Sequence, residues 1–268
     1  VSLFPASRFP FDAYFNAGDS RASGELTTSD FRTSRFGARQ SYRALDGTQY
    51  SGRYERSALS GGAFGTDVLN LFEANASKRI GVHSMELNGN ISRNAGGSNG
   101  TQSNLSRVFG RHSYAPADNL SVETIASYNR NDLEQRAAGL SSLLSNRFIQ
   151  LASFASWRPE AGEPLYDENH PLYFTGGLRF SGIASENAGT SSDTQSFSAS
   201  AGANYTINPF TRLSAGASLS QSGGSGAGSG GAGNLSSAQN ASLVYTPAPQ
   251  RLGEYTYSWN LSGAANNS

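Results

Sequence analysis

The chain has 268 residues, with 20 lysines and arginines balanced by 20 aspartates and glutamates, so a nucleic-acid partner finds no electrostatic support. It has no cysteine, which excludes disulfides, thiolate metal sites and covalently attached haem. Only 37% of it is hydrophobic, which is thin for a soluble core of this length, and no run of 18 apolar residues offers a transmembrane helix.

Val1 opens no signal-peptide pattern, as expected of a mature or trimmed chain. Beyond it, alternation and turn signals predict roughly thirteen strands. They lie at 9–16, 30–44, 50–59, 67–77, 82–93, 103–114 and 120–130, then at 146–158, 171–185, 195–207, 211–221, 240–246 and 254–264. The ninth is the clearest. Leu172, Phe174, Gly176, Leu178, Phe180, Gly182 and Ala184 alternate with Tyr173, Thr175, Gly177, Arg179, Ser181, Ile183 and Ser185. A period of two puts these rows on opposite faces of a strand. The tenth repeats the pattern, with Phe197, Ala199, Ala201, Ala203, Tyr205 and Ile207 set against serine, glycine, asparagine and threonine.

The connections alternate as well. Short ones are 46–49 (Asp-Gly-Thr-Gln), 115–119 and 208–210, whereas 94–102, 131–145 and 221–239 are expected to be long and polar. The 159–170 segment departs from this rule by its length. Residues 133–144 are expected to form a short helix or lid, because their leucines need something to pack on. Residues 222–233 are a Gly/Ser-rich flexible external loop by composition. They contain Gly226-x-Gly228-x-x-Gly231, formally a dinucleotide fingerprint, but no helix pattern follows it.

Alternating strands, tight Asp-Gly and Asn-Pro turns and aromatic residues near strand ends resemble a Gram-negative outer-membrane β-barrel, porin-like in the broad sense. The resemblance is architectural and runs over nearly the whole chain, 1–268. It implies an all-β, antiparallel up-and-down transmembrane barrel in the bacterial outer membrane, with lipid on one face and no helical span. Tight turns then share one end, ringed by Tyr42, Tyr50, Tyr114, Leu120, Trp157, Tyr205, Tyr245 and Tyr255. The outward, lipid-facing residues are Tyr42, Tyr50, Leu172, Phe174, Leu178, Phe180, Phe197, Tyr205 and Trp259.

The opposite parity lines the lumen: Arg35, Arg39, Arg43, Arg53, Glu55, Glu73, Glu86, Arg107, Arg111, Glu123 and Arg179. A charge facing lipid at midplane costs roughly 2–4 kcal/mol, so these residues belong on a wet face. Two readings of them stand. Arg35, Arg39 and Arg43 form a ladder that attracts anions, or the charges form cross-strand ion pairs that stabilise the wall, such as Arg43 with Arg53 or Glu55 nearby. From 195 onward the inward row is Ser, Thr, Asn and Gly, which leaves space and argues for a wide barrel.

No enzyme is expected. His83, His112 and His170 share no metal-ligand spacing, Asp132 and Glu134 read as a solvated loop tip, and no Gly-x-Ser-x-Gly elbow occurs. No cofactor is expected either. The last strand lacks the terminal aromatic that the resemblance implies, and an odd strand count leaves an open edge that lipid does not tolerate. The expectation is therefore a portion of a larger chain, in a barrel of about twenty or more strands. Such a barrel passes a solute, polymer or exported chain through its lumen. The alternatives are a structural sheath around a lumenal or periplasmic partner protein, as in porin–cytochrome conduits, and a surface adhesin. Outer-membrane lipid is the expected surrounding in the first two.

Overall fold

The structure, a computed structural model, describes residues 1–23, 28–61, 65–97, 100–137, 140–226 and 233–267. Among them the chain forms strands and connections without a helix. The strands are β1 (Ser2–Leu3), β2 (Phe11–Ser23), β3 (Thr28–Arg43), β4 (Gln49–Gly61), β5 (Gly65–Ile80), β6 (His83–Ala95), β7 (Gln102–Ala117) and β8 (Leu120–Ala137). They continue as β9 (Leu140–Trp157), β10 (Leu172–Asn187), β11 (Thr190–Asn208), β12 (Thr211–Gly226) and β13 (Asn234–Tyr245). Last come β14 (Gln250–Leu252), β15 (Tyr255–Tyr257) and β16 (Leu261–Asn267).

β1 to β13 pair in chain order and antiparallel, and β16 closes onto β13, giving one sheet of 14 strands. β14 and β15 form a separate two-stranded hairpin. The last expected strand, 254–264, is thus two elements, and only its second half joins the wall. Pro247 and Pro249, which lack amide donors, precede the hairpin and keep that stretch out of the ladder. β1 and β16 each have one neighbour among the described residues, so the barrel is not closed within them.

The register carries a barrel's stagger. One row of cross-strand partners runs Tyr42, Tyr50, Ala76, Leu87, Gly110, Ala126, Leu151, Phe180, Phe197, Gln221 and Leu235. Tyr42 lies one residue from the end of β3 at Arg43, whereas Leu235 lies ten from the end of β13 at Tyr245. The drift is about one residue per strand, which tilts strands by roughly 35–45° to a barrel axis.

A single layer has no interior. Ala152 is the one buried hydrophobic among the described residues, and no large side chain is fully buried. Phe15, Leu87, Ile91, Leu151, Leu178 and Ile183 are about half exposed or more. A water-soluble chain of this size buries such groups against a second layer. Here nothing among the described residues covers the apolar surface.

The expected long connections are mostly strand. β8 and β9 run 18 residues each, so 133–137 and 140–144 are paired arms and not a helix or lid, and Asp132 and Glu134 lie on β8 and not in a loop. β6 reaches Ala95, β7 begins at Gln102, β12 reaches Gly226 and β13 begins at Asn234. The rest of the Gly/Ser-rich segment, 227–232, lies outside the described residues. β10 and β11 turn on Ala188 and Gly189, both at positive φ (46° and 85°), the geometry that a two-residue hairpin demands. About 9–11 residues cross a membrane, so these arms extend well past it. The longest connections, 158–171, whose length the sequence showed, and 246–260, which holds the β14–β15 hairpin, lie at the end of the tight turns.

Candidate functional site: the two faces of the wall

Cross-strand partners share a face, so the register tests which residues lie together. One row links Arg43, Gln49, Ser77, Glu86, Arg111, Ile125, Ala152, Arg179 and Ser198. Another links Asp12, Arg39, Arg53, Glu73, Asn90 and Arg107. Arg35, Glu55 and Glu123 stand on the same strands at even spacing from these rows, so all eleven charged candidates occupy one face. Tyr42, Tyr50, Leu172, Phe174, Leu178, Phe180, Phe197 and Tyr205 occupy the other. Trp259 belongs to no strand, and it packs edge-on against Tyr245 with ring centres 5.6 Å apart.

Glu55 is the hub of the charged face and is 7% exposed. It accepts hydrogen bonds from Arg35 Nη2 at 2.7 Å, from Arg53 Nη2 at 2.6 Å and from the Tyr14 hydroxyl. Arg53 also reaches Glu73 at 3.4 Å. Tyr14 crosses from β2 to β4 because Gly37 lies between them; a Cβ at Gly37 would stand 2.6 Å from the Tyr14 hydroxyl oxygen. An aromatic ring laid over a strand glycine fills the space that the missing side chain leaves. Sequence reading missed Tyr14, whose β2 alternation gives no hint of a partner two strands away. It also paired Glu55 with Arg43, whereas Arg35 and Arg53 hold it. Elsewhere on this face Arg111 pairs with Glu123 at 2.7 Å, and Arg107 Nε donates to Asn129 at 2.8 Å.

Arg39 and Arg43 have no ion-pair partner among the described residues. They line a cleft of 840 Å³ with Arg8, Gln49, Asn75 and Glu86, roofed by the segment around Pro5 to Arg8. Backbone hydrogen bonds from Ser41 N to Pro10 O and from Arg43 N to Arg8 O, each 3.1 Å, anchor that segment to β3. Guanidinium groups facing open solvent in a cleft suit carboxylate or phosphate oxygens.

Across β10 to β13 the same face changes character. Its rows read Arg179, Ser198, Ser220, Ser236 and Gly177, Ser200, Ser218, Ala238. Serine pairs bridge neighbouring strands: Ser181 with Ser196 at 2.7 Å, and Ser214 with Ser242 and Ser220 with Ser236 at 2.6 Å.

The outward face has two edges. At the turn end rings stack in a belt: Phe9 on Tyr42, Tyr42 on Tyr50, His83 on Tyr114, Trp157 on Phe174 and His170 on Tyr205. His83 Nδ1 also lies 3.0 Å from His112 Nε2, a pair the sequence gave no spacing for, since the two are joined only across strands. Tyr255 is not in the belt's sheet; it sits in the separate hairpin. Below the belt, His170 Nδ1 contacts Asp167 at 2.8 Å and holds that carboxyl below its ordinary range. Asp46, in the first turn, is held lower still by the Lys78 ammonium at 2.7 Å and by hydrogen bonds from Thr48.

Asp132 and Glu134 share the outward parity, but each is taken by an arginine, Arg130 at 2.8 Å and Arg136 at 2.7 Å. No group of three metal-ligating side chains occurs among the described residues.

No protein-family model and no curated protein matches the chain. Among solved structures, the ferric citrate transporter FecA in its unliganded form superposes with a TM-score of 0.56 at 9% identity, over 96% of this chain and 44% of that one. The fold is that of an outer-membrane β-barrel. The chain spans less than half the length of that transporter. OmpT, an outer membrane protein of Vibrio cholerae, aligns as a loop L8 deletion mutant over 97% of both chains at 10% identity, with a TM-score of 0.34 that carries no weight. The barrel wall described here is one layer, antiparallel throughout, and open at both edges among the described residues.

Proposed function

We propose that the chain is part of the wall of a large outer-membrane barrel that passes a hydrophilic cargo passively through its lumen, without enzymatic activity or a cofactor. The absence of an internal core among the described residues carries the membrane part of this reading: the apolar face needs lipid. The lumen part is supported by the opposite face, which gathers all eleven charged candidates and leaves Arg39, Arg43 and the small residues of β10 to β13 open to solvent. Lining Arg35, Arg53 and Glu55 tie the wall, while Arg39, Arg43 and Arg179 set a mildly basic lining.

Conductance in planar bilayers tests this. A large, stable conductance with anion preference is expected, and Arg39→Gln with Arg43→Gln reduces the preference. A protein that inserts but does not conduct overturns the conduit. A sheath holding a partner protein is the second reading, favoured by the flat Ser/Gly face of β10 to β13, against which a partner surface could pack closely. Co-purification of a protein with a non-conducting barrel would support it.

A further inference from the structure

On β6, β8 and β9 the aromatic belt marks one edge of the outward apolar band and an arginine marks the other, whereas on β4 Arg56 stands lower, six residues from Tyr50. On β6 the outward row is His83, Met85, Leu87, Gly89, Ile91 and then Arg93. On β8 it is Leu120, Val122, Thr124, Ala126, Tyr128 and then Arg130. On β9, read from its turn end, it is Trp157, Ala155, Ser153, Leu151, Ile149 and then Arg147. Each arginine stands ten residues from its own turn-end residue, His83, Leu120 or Trp157. Ten residues at about 3.3 Å, tilted by about 40°, climb about 25 Å, which is the height of a barrel's lipid-facing band.

We infer that this rim binds the phosphate groups of anionic membrane lipids in the leaflet opposite the aromatic belt. Arg93 and Arg147 are exposed and have no ion-pair partner among the described residues. Arg130 and Arg147 are direct cross-strand partners, two like charges that the single carboxylate of Asp132 offsets only in part. Asp132 takes part of the Arg130 charge at 2.8 Å and feels the charge of Arg147 as well. That carboxylate and Glu134 and Glu186 stand two or more residues farther from the band. The order is therefore apolar, basic, acidic, which places the cations at headgroup depth and the carboxylates in water. Arginine forks suit phosphate oxygens at that depth. The inference rests on the outer-membrane reading.

The test is lipid retention. The purified protein is refolded into phosphatidylcholine vesicles and into phosphatidylcholine–phosphatidylglycerol vesicles, extracted in mild detergent, and its bound lipid counted by native mass spectrometry. Wild type is expected to retain phosphatidylglycerol preferentially, by about fivefold per arginine. Arg93→Gln with Arg147→Gln is expected to lose most of that preference, while Arg107→Gln with Arg179→Gln, on the inward face, keeps it. Equal retention by the rim variant and wild type overturns the inference, as does an equal loss in the inward variant. Insertion without lipid preference sinks the rim alone; failure to insert into either vesicle sinks the membrane reading itself.

Discussion

The inward face has two halves built on different principles. From β2 to β8 long charged side chains bridge strands: Tyr14, Arg35 and Arg53 converge on Glu55, Arg53 reaches Glu73, and Arg111 meets Glu123. From β10 to β13 the ties are single hydroxyl contacts between serines. The first half is a network in which one carboxylate satisfies three donors; the second is a ladder of independent rungs. A network couples its members, so removing one loosens the others, whereas a rung is lost alone. The outward faces do not share this division, because both halves place apolar residues there.

That contrast can be broken at its base by a charge on the outward face. Leu87→Arg in the first half and Leu178→Arg in the second should each cost roughly 2–4 kcal/mol in vesicle refolding titrations, while Ser198→Arg, one face away, costs under about 0.5. Equal costs at Leu178 and Ser198 would remove the face assignment. Next in size, Gly37→Ala drives a methyl into the Tyr14 ring and should cost about 2 kcal/mol, read by urea unfolding in detergent.

Glu55→Gln, which keeps the shape and removes the charge, should cost about 1–2 kcal/mol, reduced because both guanidinium groups are partly in solvent. Ser220→Ala should cost less than about 0.5. A double-mutant cycle of Glu55→Gln with Tyr14→Phe should show coupling, and one of Ser220→Ala with Ser181→Ala should not.

The smallest effect concerns the first turn. Asp46 has a folded pKa below its ordinary 3.8, so its contribution is fully present above about pH 4–5 and fades as pH falls toward the lowered value. The melting temperatures of wild type and Asp46→Asn should differ most near neutrality and converge toward pH 2.

Most of the wall was legible in sequence, and what escaped has a physical cause. Twelve of the thirteen expected strands coincide with β2 to β13, because a face in lipid and a face in water enforce a period of two. The arms beyond the membrane were lost for the same reason. At Asn131–Arg136 and Ser191–Gln195 both faces meet water, so the alternation fades although the hydrogen-bond ladder continues. The eleven charges were placed on one face by parity alone, since parity is all that a face requires. Their partners were not, because Arg35, Arg53 and Tyr14 reach Glu55 by register and by the gap at Gly37, neither of which a single strand reveals. The arginine rim was equally hidden: Arg93, Arg130 and Arg147 come level only when counted from their turns.

From β2 to β12 every strand pairs only with its neighbours in sequence, so no strand pairing in that stretch waits on the arrival of a distant segment. Each closure joins sequence neighbours, and because the entropy lost on joining the ends grows slowly with loop length, it stays modest even across 158–171. Assembly is then an additive process in which a free edge templates the next hairpin. The one skipped partner is at the end: β13 accepts β16 across 246–260, with the β14–β15 hairpin left outside the wall.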